Sequence, residues 1–156
     1  FRKILSTIVR VGELERSDLR VLDFGCGHGV LKASNPKIAI TGFDIIQELT
    51  EVDDWKQEMY DSVVANEVFF SFNEQQLEHL LNEFKEHNRD MELVVGISRQ
   101  SWINKLGAIL LGYGEAHSGT KLNPPEEKKV LLRHLDIVNQ KSVFGLADVY
   151  RLKFKL

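Results

Sequence analysis

The nine residues Val21-Leu22-Asp23-Phe24-Gly25-Cys26-Gly27-His28-Gly29 constrain the fold of this chain more than any other stretch. Three apolar side chains around one acid read as a short strand buried on both faces, as in a parallel sheet. The glycines that follow let the backbone turn sharply and come close to a ligand before a helix begins. Strand, glycine turn and helix in that order predict a doubly wound α/β sheet with a ligand at the turn. Spacing narrows the ligand class. The pyrophosphate fingerprint of dinucleotide sites runs G-x-G-x-x-G, whereas Gly25, Gly27 and Gly29 run G-x-G-x-G with an acid two residues ahead. A carboxylate at that strand end repels a pyrophosphate and attracts an ammonium group, so Asp23 points to an amino-acid-bearing cofactor.

A second acid follows. Lys37-Ile38-Ala39-Ile40-Thr41-Gly42-Phe43-Asp44 is another apolar run ending in a carboxylate, about twenty residues beyond the first glycine, where a doubly wound sheet sets its second strand end beside a ribose. Asp44 can accept from both ribose hydroxyls. A nicotinamide site would use the same position, so the choice of cofactor rests on Asp23. At these residues the chain resembles the class I S-adenosylmethionine-dependent methyltransferases, whose first motif, (D/E)-x-G-x-G-x-G, is matched in full from Asp23 to Gly29. The resemblance implies S-adenosylmethionine as cofactor and a Rossmann-like doubly wound sheet, mostly parallel, with an antiparallel C-terminal hairpin strand. It also implies that Asp23, Gly25, Cys26, Gly27, Asp44 and Ile45 line the cofactor site.

The remaining chain alternates strand and helix patterns without repeat or linker. Ile4, Leu5, Ile8 and Val11 share one face of a helix over Phe1 to Val11 that Gly12 stops. The first strand is Arg20 to Phe24, a brief helix follows Gly29, and Pro36 breaks the chain before the second strand. Only Ile45 to Met59 then precedes the next convincing strand, so the region between strands two and four is shortened relative to the resembling enzymes. Glu48 to Val52 is expected to survive as a third strand, which would set Asp53 or Asp54 at the adenine and make Trp55 an apolar wall. The competing reading for both acids is that they cap or solvate a turn.

Asp61 to Val68 reads as the next strand, β-branched at its centre and polar at its end. It resembles the family's fourth motif, with Tyr60-Asp61 as the aromatic and acid pair, and this implies that Asn66 and Glu67 lie under the sulfonium end of the cofactor. Glu67 can alternatively start a helix. Asn73 caps a helix with Leu77, Leu80, Leu81 and Phe84 at helical spacing and with His79 and His87 on its surface. Met91 to Ile97 is a further strand. Ile137 to Phe144 and Val149 to Leu156 read as a closing hairpin, with alternation clearest in Tyr150, Leu152 and Phe154.

At 156 residues, with 43% hydrophobic and 28% charged, the chain suits one methyltransferase domain spanning 1–156 around one core. Twenty basic against twenty-three acidic residues give a net charge of -3, which removes the broad basic field of a protein that mainly holds nucleic acid. Cys26 is the single cysteine, so no internal disulfide forms and a reducing, cytoplasmic setting fits. With no base beside it in sequence, it is expected to fill space near the cofactor and not to react. No apolar run is long enough to span a membrane. No His or Cys pair stands at metal-ligand spacing. The chain opens on Phe1 and not on methionine, which leaves room for upstream residues where resembling enzymes carry part of a substrate lid.

The acceptor is expected over Ser98 to Lys121, which holds Arg99, Trp102, Asn104, Tyr113, Glu115 and His117 among several glycines. His117 is the first candidate general base, Tyr113 the second and His134 a distant third. A structural role is the alternative for His117. Asn123-Pro124-Pro125 is similar to the N-P-P-(Y/F) loop of some amino-group methyltransferases, but it follows the wrong strand and has Glu126 in place of the ring. Asn123 as N-cap, prolines in the first turn and Glu126-Glu127 near the helix dipole account for it. The expected activity is methyl transfer to a small-molecule, lipid-linked or glycan acceptor. The alternative is a catalytically inactive S-adenosylmethionine-binding module acting as a partner subunit, and a nicotinamide oxidoreductase comes third.

Overall fold

Residues 2–99 and 121–156 are described by the computed structural model. In them the strands β1 (Arg20–Phe24), β2 (Ala39–Phe43), β3 (Ser62–Asn66), β4 (Glu92–Ser98), β5 (Leu135–Val143) and β6 (Ala147–Phe154) form one sheet in the order β2-β1-β3-β4-β6-β5. The first four pair in parallel, and β6 runs antiparallel between β4 and β5. The chain steps outward from β1 to β2 and then returns to the other side of β1 as β3. That reversal opens a crevice at the carboxyl ends of β1, β2 and β3, the place where open α/β sheets bind ligands.

Side-chain alternation builds both faces. Leu22, Phe24, Val63, Ala65, Leu93, Val95, Tyr150 and Leu152 pack under α3 (Glu74–His87) and α4 (Pro124–His134). Val21, Val64, Val94 and Val149 point the other way, onto Leu5, Ile8 and Val11 of α1 (Arg2–Gly12) and Leu31 of α2 (Val30–Ser34). Asn73 caps α3 in a reciprocal capping box with Gln76. At the end of α1, a Cβ on Gly12 would fall 2.7 Å from Val94 Cγ2, so glycine lets the helix sit close on the sheet. The stop itself is Glu13, at φ 50.

The expected third strand over Glu48 to Val52 is not formed; the segment makes turns and bends. A single residue takes the place of that strand. Glu51 N–H donates to the Gly42 carbonyl (2.9 Å), and Gly42 N–H donates to Glu51 Oε2 (2.7 Å), which covers both backbone groups of the edge residue. Lys32 Nζ holds the other Glu51 oxygen at 2.6 Å. Trp55 is buried, with its ring against Phe24 and Phe84. The hairpin begins two residues earlier than predicted, at Leu135, and carries an irregularity between Ile137 and Asn139.

At the amino end of β4 lies a buried charge cluster. Glu92 Oε2 accepts from Arg151 Nε (2.9 Å) and Arg16 Nη2 (2.9 Å), and Oε1 accepts from Arg151 Nη2 (3.0 Å) with Lys153 Nζ at 3.1 Å. Burial alone would raise the Glu92 carboxyl, but the Arg151 and Lys153 hydrogen bonds hold it below the usual range.

Candidate functional site

The crevice is built from the glycine turn upward. Gly25 N–H (2.7 Å) and Cys26 N–H (3.1 Å) both donate to the Phe43 carbonyl, which clamps the turn onto the end of β2. Gly25 sits at φ +76, and a Cβ there would lie 2.5 Å from Val68 Cγ2, so no other residue fits. Gly27 N–H donates to Asp44 Oδ2 (2.9 Å) and Ile46 N–H to Asp44 Oδ1 (3.0 Å). Asp44 therefore ties the two strand ends together while each oxygen keeps a free lone pair. Gly27 and Gly29 also have positive φ, and a Cβ on either would meet nothing within 4 Å. They face a cleft of about 260 Å³ lined by Asp23, Cys26, Gly27, Leu49 and Glu51 among others.

The cleft is acidic. Asp23 is 6% exposed and its carboxylate forms no hydrogen bond among the described residues. Burial, and then the charges of Asp44 and Glu51, push its pKa up to about 7. Burial, and then the charges of Asp23, Asp44 and Glu51, push the Cys26 thiol up to about 11, which keeps it protonated. Cys26 lies against Gly42, where a Cβ would come within 2.9 Å of its Sγ, so here it fills space. Ile45 stands 84% exposed beside Asp44. Asp53 accepts from Gln47 Nε2 (2.8 Å), and Asp54 caps the 3-10 turn Trp55–Gln57 by accepting from Lys56 N–H (3.0 Å).

At the neighbouring strand end, Glu67 adopts φ 58, rare for a residue with a side chain, and donates its N–H to the Gly96 carbonyl (2.9 Å). Burial raises its carboxyl pKa. The Asn66 amide oxygen is buried over Gly96 without a donor, and a Cβ on Gly96 would collide with it. The structure adds a residue that sequence reading passed over as one of two helix-dipole acids. Asn123 does cap α4, in a capping box completed by Glu126. Glu127, one position on, is turned about 100° inward and is 3% exposed. Burial, and then the charge of Glu67, push its pKa up to about 8. The signal was present in the spacing: Glu127, Val130 and Leu131 share one helical face and all three are buried.

His117 and Tyr113 lie outside the described residues, as do Trp102, Asn104 and Glu115. Arg99 is committed to Asp148 by two bonds of 2.7 Å. His134 ends α4 beside Glu78, at the far edge of the sheet from the crevice.

The sequence matches no family model and no curated protein. The fold has solved counterparts. The N-methyltransferase NodS from Bradyrhizobium japonicum WM9, in complex with S-adenosyl-l-homocysteine, superposes with a TM-score of 0.70 at 15% identity, over 99% of this chain and 87% of that one. Magnesium protoporphyrin IX methyltransferase from Synechocystis PCC 6803, with the same molecule bound, gives 0.62 at 15% identity over 99% and 81%. The methyltransferase domain of bacterial CtHen1-C gives 0.63 at 14% identity over 99% and 97%. The sheet order, the glycine turn at the switch point and these superpositions agree: the chain has the fold of the class I S-adenosylmethionine-dependent methyltransferases.

Proposed function

We propose that the chain binds S-adenosylmethionine in the cleft over β1 and β2 and transfers its methyl group to a small-molecule, lipid-linked or glycan acceptor. The observation that carries this reading is Asp23, a buried carboxylate without a partner among the described residues, beneath an open glycine turn. A ligand ammonium supplies the missing partner, whereas a pyrophosphate would meet Asp23, Asp44 and Glu51 as like charges. The solved counterparts that hold S-adenosyl-l-homocysteine support it.

When bound, the cofactor supplies an activated methyl on a sulfonium. The chain supplies position. Asp23 holds the ammonium, and Gly25, Cys26 and Gly27 present backbone to the amino-acid end. Asp44 offers its free lone pairs to the ribose hydroxyls and Ile45 an exposed apolar surface to the adenine, with Asp53 and Asp54 at the rim. Asn66 and Glu67 stand at the sulfonium end. His117 and Tyr113 are assigned to proton removal from the acceptor. Displacement at the methyl carbon asks the protein chiefly to align the nucleophile and exclude water. The loss of the third strand favours a second reading, an inactive binding module serving a partner subunit; radiolabelled methyl transfer into pools of metabolites and lipid extracts separates the two.

The test of cofactor binding is calorimetric titration with S-adenosylhomocysteine and with NAD, on the native chain and on Asp44→Ala. The native chain is expected to bind the former and not the latter. Asp44→Ala is expected to lose about 1–3 kcal/mol of that affinity, from two charge-assisted hydrogen bonds. Tight NAD binding with none to the homocysteine compound would sink the reading.

A further inference from the structure

Another cavity, of about 420 Å³, opens at the carboxyl edge of the sheet between the first turn of α4 and the paired ends of β4 and β6. That volume is within the range of small-molecule sites. Ile97 and Tyr150, both buried, and the two prolines that open α4 give it apolar walls. Its place is set by strand register. Ile97 and Ser98 continue β4 past Gly96, and Gly96 pairs with Asn66 at the strand end assigned to the sulfonium. The cavity therefore begins about 5 Å, one strand spacing, to the side of that end.

Most polar groups around it are already committed. Arg99 Nε and Nη2 donate to the two oxygens of Asp148 at 2.7 Å each, and the Ser142 hydroxyl donates to Oδ1 as well, so Asp148 is occupied and offsets the charge of Arg99. The start of α4 offers little. Prolines fill its first two positions and carry no N–H, and the Glu126 N–H is taken by Asn123 Oδ1 (3.0 Å). Glu126 returns its own carboxylate to the Asn123 N–H (2.9 Å), and it does not line the cavity. Lys128 remains. It makes no hydrogen bond and no ion pair among the described residues, and its Nζ lies 5.0 Å from the centre of the Tyr150 ring. An ammonium held over a ring without a carboxylate of its own is a placed positive charge on an apolar wall. An anion brought there gains a charge-assisted hydrogen bond, whereas a second cation meets a like charge.

We propose that this cavity is the acceptor subsite and that Lys128 selects an acceptor with an apolar or aromatic body and an anionic group, a carboxylate or a phosphate. This rests on the cofactor reading above. The walls around Ile97, Pro124 and Tyr150 take the body, and Lys128 Nζ takes the anion. The part of the acceptor nearest Asn66 then faces the methyl group.

The test is calorimetric titration of the full chain, saturated with S-adenosylhomocysteine, using naphthoate, naphthyl phosphate and the neutral naphthamide. One or both anions are expected to bind roughly tenfold tighter than the amide, and the comparison between them tells carboxylate from phosphate. Lys128→Met keeps an apolar stem without the charge and is expected to shrink the preference to about twofold, whereas Lys128→Arg retains it. S-adenosylhomocysteine affinity should stay constant in both variants, which reports that they are folded. In the ternary complex, nuclear Overhauser contacts are expected between the naphthyl ring and the ligand methylenes beside sulfur. Equal affinity for anions and amide on the native chain, a preference that survives Lys128→Met, or a bound ring without those contacts overturns the proposal. If Lys128→Met does not fold, the native comparison and the contacts between the two ligands decide. Failure of S-adenosylhomocysteine itself to bind overturns the cofactor reading and this one with it, whereas its binding without any preference for the anions overturns this one alone.

Discussion

Asp23→Asn is expected to stabilise the ligand-free protein at pH 8 by about 2–4 kcal/mol and to weaken S-adenosylhomocysteine binding by about 10- to 100-fold. Both effects have one cause. The folded chain holds the Asp23 proton up to about pH 7, whereas an unperturbed carboxyl releases it near 3.8. Between those values the folded state binds more protons than the unfolded one, so stability falls as the pH rises, with a ceiling of about 4 kcal/mol from this residue. Glu127, raised to about 8, extends the same decline toward higher pH. Glu51, Glu92 and Asp148 are lowered, so their stabilising contribution is lost only as the medium becomes more acidic than an ordinary carboxylate range. Urea denaturation at pH 5 and pH 8 is therefore expected to show the native chain weaker at pH 8 and Asp23→Asn largely relieved of its share. At one ligand concentration well above both dissociation constants, the native chain should gain about 1.4–2.7 kcal/mol more than the variant, the free-energy equivalent of the 10- to 100-fold affinity ratio. A native chain whose ligand-free stability rises from pH 5 to pH 8 contradicts this account of the cleft.

Glu92→Ala is expected to cost about 3–5 kcal/mol, because it strands a buried guanidinium. Arg151 is 7% exposed, and the substitution leaves it only Glu13, whose carboxylate is half exposed at 2.8 Å. The cluster lies at the amino end of β4, so the variant should bind S-adenosylhomocysteine normally at a temperature where it remains folded. Adding Arg151→Leu is expected to recover part of the loss, since removing both charges also removes the desolvation cost. Chemical denaturation of the native, single and double variants measures this, and a single-variant loss under about 1 kcal/mol would show that the cluster is solvated in solution.

Those two acids also mark what can be read from the chain alone. The place of Asp23, in β1 just ahead of the glycine turn, was legible because the pattern is local: a carboxylate two residues ahead of three alternating glycines. The capping boxes at Asn73 and Asn123 were legible for the same reason, as side chains bonding to backbone three residues away. The β6 alternation of Tyr150, Leu152 and Phe154 identified the closing hairpin because a half-buried strand repeats every two residues. Glu92 and Glu127 were not legible, since their roles depend on partners such as Arg151 and Glu67 that the fold brings in from far along the chain. The third strand failed instructively. Glu48 to Val52 has the length of a strand, but at Gly42 its place is taken by Glu51 alone, which bonds to both backbone groups there while the rest of the segment turns away. Trp55 followed from the same shortening, as the chain turns inward after Asp54 and drops the indole between Phe24 and Phe84.

The central claim is that Asp23 receives an ammonium and Asp44 a ribose in one ligand. A crystal structure of the chain with S-adenosylhomocysteine tests it most directly. The account predicts the ligand's amino nitrogen within about 3 Å of the Asp23 carboxylate and both ribose hydroxyls on Asp44, with the thioether sulfur toward Asn66 and Glu67. A ligand seated elsewhere, or one lying in this cleft with its amino group turned away from Asp23, contradicts it.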